Sequence, residues 1–125
     1  MDLLLDTHIL LWWLSGDPRL SATTRDAIAQ PERGVFVSAA TAWEIVIKRS
    51  LNKLRFEGEL ESIVSREGFA VLPIHFSHAE EVRLLPSIHQ DPFDRMLVAQ
   101  ARIENLRLVS ADRRVLQYPV SVLSC

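Results

Sequence analysis

Val35-Phe36-Val37-Ser38-Ala39-Ala40-Thr41-Ala42-Trp43-Glu44-Ile45-Val46-Ile47 changes character at its fourth residue. Val35, Phe36 and Val37 are β-branched or aromatic and suit an extended chain. Ser38 can accept the unpaired amide hydrogens of a helix start, and a helix from Ala39 to about Leu51 follows. A short strand leading straight into a helix is half of a βαβ unit, and the rest of the chain repeats it in both directions. Upstream, Leu3-Leu4-Leu5 is an apolar strand that stops at Asp6. Ile9 to Leu14 reads as a mostly buried helix closed by Ser15-Gly16-Asp17-Pro18, and Ser21 caps a second helix running to about Gln30, ended by Pro31 and Gly34. Downstream, a Gly58 to Arg66 helix precedes the strand Phe69-Ala70-Val71-Leu72. Ser77 caps a helix ending near Pro86, and Asp91-Pro92 opens another that runs to about Asn105. Leu106 to Val109 and Val120 to Leu123 read as two more strands. Short apolar strands alternating with helices predict an α/β fold with a parallel sheet covered on both faces.

The length of 125 residues suits a single domain spanning 1–125, and 48% hydrophobic with 24% charged residues allows a substantial core. A net charge of -2 argues against holding nucleic acid by bulk positive charge. It does not exclude a nuclease, because carboxylates loaded with cations no longer repel phosphate. Of the 14 basic residues only Lys48 and Lys53 are lysine, and arginine suits phosphate contacts and salt bridges alike. The single cysteine, Cys125, excludes an intrachain disulfide and fits a reducing cytoplasm. Leu3 to Leu5 has no basic leader, and Ile9 to Leu14 is too short to span a bilayer, so a soluble cytoplasmic protein is expected.

In parallel sheets ligands sit beyond the carboxyl ends of the strands. Asp6 lies just past the first strand, Asp112 just past the fourth, and Glu44 one to two turns along the helix leaving the second. Each has a plain alternative. Asp6 with Thr7 can cap the first helix, and Thr7 could do so while Asp6 points outward. Glu44 can pair with Lys48 at i,i+4 for roughly 0.3–0.5 kcal/mol, although its neighbours Ala40 and Ile47 set it beside an apolar stripe where a carboxylate needs a partner. Asp94 is explained by a well-made helix start, with Asp91 at the N-cap, Pro92 at N1 and Asp94 at N3 reaching back as in a capping box. Ser110-Ala111-Asp112 can be a turn or a cap for the short segment Arg113 to Leu116. Two carboxylates about 5 Å apart repel by roughly 3 kcal/mol at an effective dielectric near 20. A fold that gathers four must neutralise them, and Mg²⁺ or Mn²⁺ is the natural counter-ion for oxygen ligands.

Other chemistries find no support. His75, His78 and His89 lack the spacing of a zinc site, and only His8 is expected near the acidic residues. The nucleophile elbow of a serine hydrolase and both glycine-rich phosphate motifs are missing. Position 8 is His where haloacid-dehalogenase-like phosphatases carry a second Asp.

The chain resembles the PIN domain, and within it the VapC-type toxins of bacterial toxin–antitoxin pairs. The resemblance rests on Leu5-Asp6-Thr7-His8 with the following Leu-Leu-Trp-Trp-Leu, on Ser38-Ala-Ala-Thr-Ala-Trp-Glu44-Ile, on Asp91-Pro-Phe-Asp94-Arg95-Met-Leu-Val-Ala-Gln100-Ala, and on Leu108-Val-Ser-Ala-Asp112. The third segment is the most specific. The resemblance implies a three-layer α/β/α sandwich with a five-stranded parallel sheet, commonly as a homodimer. It also implies a metal-dependent endoribonuclease, using Mg²⁺ or Mn²⁺, that leaves 5′-phosphate and 3′-hydroxyl ends on its RNA. By motif position Asp6, Glu44, Asp94 and Asp112 correspond to the family's catalytic, metal-holding acids, and this overrides a capping-only role for Asp94. Thr7 and Ser110 are supporting hydroxyls, Ser110 standing where the family more often has Thr. Arg95, Arg113 and Arg114 are candidate RNA phosphate contacts. The implied partner is a cognate antitoxin covering the active site and a hydrophobic groove, where exposed parts of Trp12, Trp13 or Trp43 could serve. The alternative from another class is a catalytically silent module that keeps the fold for protein–protein binding.

Overall fold

The computed structural model describes residues 1–125. Five parallel strands, β1 (Leu3–Leu5), β2 (Val35–Ser38), β3 (Ala70–Leu72), β4 (Arg107–Ser110) and β5 (Val122–Ser124), form one sheet in the order β3-β2-β1-β4-β5. Six helices flank it: α1 (Thr7–Ser15), α2 (Ala22–Ile28), α3 (Ala39–Ser50), α4 (Leu60–Arg66), α5 (Phe76–Val82) and α6 (Pro92–Glu104). This is the predicted α/β architecture.

The three layers follow from β1. Successive strand residues point to opposite faces. Leu3 and Leu5 therefore join Ile9, Leu10, Ile28, Ile45 and Val64 on one side of the sheet, while Leu4 joins Leu97, Val98, Ala101 and Leu108 on the other. All three leucines are completely buried, because the central strand is covered on both faces. An unbroken apolar triplet is what such a position demands. The chain passes from β1 outward to β2 and β3, then returns to the far side of β1 for β4 and β5. The order reverses between β1 and β4, and the carboxyl ends of those two strands frame the crevice in which doubly wound sheets bind ligands.

Several element ends differ from the sequence reading. The first helix begins at Thr7, two residues before Ile9, because Asp6 itself is the N-cap and accepts the Ile9 amide at 2.9 Å. The fifth begins after His75, with Ser77 inside it: the His75 amide donates to His78 Nδ1 at 3.0 Å. That helix stops at Val82, well short of Pro86, and the fourth starts at Leu60 instead of Gly58. The expected caps do appear at Ser21, whose hydroxyl accepts from the Thr24 amide at 3.2 Å, and at Ser38, which accepts from the Ala40 amide at 2.9 Å. Ser21→Ala should lower the unfolding free energy by about 1 kcal/mol, measured by urea titration, because the Thr24 amide loses its acceptor. Gly16 ends α1 at φ 66°, and it should not accept a side chain without strain.

A buried polar brace ties the layers together. The Ser38 hydroxyl donates to Gln100 Oε1 at 2.6 Å, and Gln100 Nε2 donates to the Pro73 carbonyl at 3.3 Å. Gln100 thereby fixes the end of β2 and the segment after β3 to the middle of α6, leaving little freedom in how the first turn of α6 meets the crevice.

Candidate active site

Asp6 leaves β1 at the reversal point and is only 4% exposed. Its carboxylate accepts the Ile9 amide and lies against the Ser110 hydroxyl, with no basic side chain bonded to it. Burial raises its pKa from 3.8 to about 6, against the lowering effect of those two hydrogen bonds, and the nearby charge of Asp94 raises it further. A water-poor carboxylate without a cationic partner is a costly arrangement for the fold. Thr7 and Asp6 exchange the parts the sequence offered them, since Asp6 makes the cap and Thr7 turns its hydroxyl elsewhere.

That hydroxyl donates to Glu44 Oε1 at 2.6 Å, linking the start of α1 to α3. Glu44 is 5% exposed, and its other oxygen pairs with Lys48 Nζ at 2.7 Å. The pairing with Lys48 that the sequence allowed is present, but on a buried carboxylate and not at the surface.

Asp94 stands in the first turn of α6 but makes no capping box. Asp91 alone accepts the Phe93 and Asp94 amides, at 2.9 and 3.0 Å. The Asp94 carboxylate instead meets His89 Nε2 at 3.1 Å. Its pKa is raised, chiefly by burial, with the His89 hydrogen bond opposing and the charges of Asp91 and Asp112 adding to the rise. Asp112, two residues past β4, is held well ionised because Arg114 binds it through Nη2 at 2.9 Å and through its amide at 2.8 Å.

Asp94 is the link among the acids, since its charge acts on Asp6 and that of Asp112 acts on it, while Glu44 connects through Thr7, the neighbour of Asp6. The sequence reading missed His89. One ligand atom from each of His89, Asp94 and Asp112 lies within 4.8 Å of the other two. Only His8 had been expected near the acids, and it is indeed close enough to Asp6 for its charge to act there. His89 carried no metal-like spacing, because its partners Asp94 and Tyr118 are five and 29 residues away. Of the three arginines, one is already engaged within the fold. Arg95 is turned inward, donating to the carbonyls of Pro86, His89 and Val82 and to Tyr118 Oη. Arg114 is engaged with Asp112 at the surface, and Arg113 is exposed.

The donor set is oxygen-rich, with one imidazole beside it, and no basic side chain is bonded to Asp6. Such a set fits a hard divalent ion.

A model of the PIN domain matches residues 3–120, nearly the whole chain. The chain belongs to the PIN domain family. Its four acids fall within the matched span. Among curated proteins this PIN domain is 28% identical over 115 residues to Ribonuclease VapC22 of Mycobacterium tuberculosis, covering 90% of this chain and 88% of that one. Among solved structures it superposes on VapBC2 from Rickettsia felis, bound to a DNA fragment from their promoter, with a TM-score of 0.76, 14% identity and coverage of 100% and 99% of the two chains. DNA-bound VapBC from Salmonella typhimurium gives 0.68 at 18% identity, covering 99% and 98%. FitAcB from Neisseria gonorrhoeae gives 0.65 at 17%, covering 98% and 96%. At these identities the superpositions speak for the fold.

Proposed function

We propose that this PIN domain is a VapC-type toxin, a divalent-metal-dependent endoribonuclease neutralised by an antitoxin. The observation that carries the reading is Asp6, a buried carboxylate at the sheet's reversal point with no basic side chain bonded to it and with the charge of Asp94 in electrostatic reach. Asp6, Glu44, Asp94 and Asp112 are the proposed holders of Mg²⁺ or Mn²⁺. When bound, such an ion supplies an activated water and charge stabilisation on the phosphoryl and leaving oxygens.

The chain's own residues prepare that centre. Ser110 and the Ile9 amide hold Asp6 in one orientation, and Thr7 and Lys48 hold Glu44. Arg114, 58% exposed at its side chain, is free to exchange Asp112 for a substrate phosphate at little cost, since surface ion pairs contribute about 0–1 kcal/mol. Arg113 is exposed beside it. Arg95, by contrast, serves the fold and drops out as a phosphate contact.

Beside the acids runs an open groove of about 670 Å³, bordered by Thr7, His8, Trp12, Lys48, Lys53 and Arg55. Basic and aromatic side chains suit a single strand of RNA, and the apolar Leu11, Leu14, Leu54 and Phe56 in the same lining suit an antitoxin segment. Trp12 and Trp13 pack partly into the core, whereas Trp43 is 59% exposed against Phe93 at 5.2 Å. Trp43, Ile74, Val82, Phe93 and Met96 line an apolar hollow of about 370 Å³ that a second copy would cover in the expected homodimer. No helix is long and apolar enough to cross a membrane.

The test is cleavage of single-stranded RNA with and without Mn²⁺, followed by end analysis. Metal-dependent cuts leaving 5′-phosphate and 3′-hydroxyl ends are expected. A silent binding module would cut nothing and give no carboxylate-dependent heat on Mn²⁺ titration. The complete acid set, including the unpartnered buried Asp6, favours the enzyme.

A further inference from the structure

His89 sits in the segment between α5 and α6, buried, and both of its ring nitrogens are engaged. Nε2 faces the Asp94 carboxylate at 3.1 Å, and Nδ1 faces Tyr118 Oη at 2.7 Å. Tyr118 Oη in turn receives Arg95 Nη1 at 3.0 Å, and Arg95 is anchored on the Pro86 carbonyl at 2.8 Å. For a neutral imidazole the donor directions along this chain follow one from another. A guanidinium only donates, so the tyrosine oxygen accepts from it and has its own hydrogen to give. An ionised carboxylate only accepts, so Nε2 must carry the imidazole hydrogen. Nδ1 of the neutral ring is then an acceptor at 2.7 Å from Tyr118 Oη, closer than the other acceptor that hydroxyl reaches, the His89 carbonyl at 3.5 Å. Each member fixes the hydrogen of the next.

From this geometry we infer that His89 is a positioning residue for Asp94, locked by Tyr118 and Arg95 into the tautomer that donates from Nε2, so that the Asp94 oxygen left free of His89 is presented to a divalent cation. The inference rests on the metal-centred reading above. It also explains why Arg95, beside Asp94 in sequence, turns inward: it anchors the far end of the relay that orients its neighbour. Outer partners of this kind fix ligand orientation and typically change metal affinity by about 10–100-fold when removed.

The test uses Mn²⁺ alone as probe, titrated calorimetrically into the full chain, with thermal unfolding recorded without metal. The terminal amide of Gln reproduces the position of Nε2, whereas that of Asn reproduces Nδ1. His89→Gln keeps a donor for Asp94 and should bind Mn²⁺ within about threefold of the unaltered chain. His89→Asn keeps a partner for Tyr118, loses the donor, and should bind about 10–100-fold more weakly. Tyr118→Phe releases the tautomer and should fall between the two, without altering the residue that touches Asp94. Equal affinity in all three variants would overturn the inference, as would equal losses in His89→Gln and His89→Asn, which signify packing. A nitrogen bound directly to Mn²⁺ in its electron-spin spectrum would make His89 a ligand and overturn it too. Asp94→Asn separates the two readings. If it binds Mn²⁺ undiminished, the metal-centred reading fails. If it loses binding while His89→Asn does not, the relay alone fails.

Discussion

Asp94→Asn should lower the single-turnover rate of Mn²⁺-dependent RNA cleavage by about 10³-fold or more while leaving the melting temperature within a few degrees. The magnitude follows from position. Loss of a group that only orients a metal ligand typically costs about 10–100-fold, and Asp94 is itself a proposed ligand, so its loss should exceed that range. A 10³-fold loss corresponds to about 4 kcal/mol of transition-state stabilisation. The fold should tolerate the change, because the start of α6 does not depend on Asp94. Asp91 accepts the two amides that need an acceptor, Pro92 fills the first position, and Gln100 braces the helix further along. Asn also keeps an oxygen for His89 Nε2–H. The substitution therefore isolates the charge, and cleavage at the unaltered rate would remove Asp94 from the site.

How much of this was visible in the sequence differs by residue, for physical reasons. Leu3-Leu4-Leu5 reads as a buried strand because three consecutive leucines suit burial on both faces, and the parallel sheet follows from the alternation of such strands with helices. Ser21, Ser38 and Asp91 were legible because a short oxygen-bearing side chain before an apolar run has one common use. His75 and His78 were not: an imidazole nitrogen accepting a backbone amide performs the same task, yet His is a rare cap and Ser77 stood nearby. Asp6 and Thr7 were both recognised, but which one caps and which one reaches Glu44 is decided by where β1 ends, a tertiary fact. His89 escaped entirely. Its meaning depends on Tyr118, brought alongside only by the last turns of the chain, and no spacing rule connects them. Arg95 looked like a phosphate contact because sequence shows a charge without showing the four oxygens it already serves.

Asp6→Asn should have opposite effects with and without divalent ions. In metal-free buffer at pH 7.5 the variant should be the more stable chain, by about 1–3 kcal/mol in urea titration. The Asp6 carboxyl has a pKa of about 6 in the folded protein against 3.8 as its ordinary value, with burial the leading cause. A carboxyl raised by folding contributes stability that is fully present below pH 3.8 and is lost as pH rises through 6. Each pKa unit is worth about 1.4 kcal/mol, so above pH 6 the ionised Asp6 costs the fold up to about 3 kcal/mol. Asn escapes that cost and still accepts the Ile9 amide, being as good an N-cap as Asp. The gap between the two chains should therefore close as pH falls from 6 to 4, since the aspartic acid then holds its proton in the folded state. Titrating groups away from Asp6 act on both chains alike, and relief of Asp94 from the Asp6 charge adds to the gain. Saturating Mn²⁺ should reverse the order, because an ion that binds only the folded protein stabilises it by mass action, and the unaltered chain binds it far better. RNA cleavage should vanish in the variant over the same pH range in which its fold is the stronger. Equal stability of the two chains at pH 7.5 without metal would mean that Asp6 is not the strained, cation-seeking carboxylate on which the site is built.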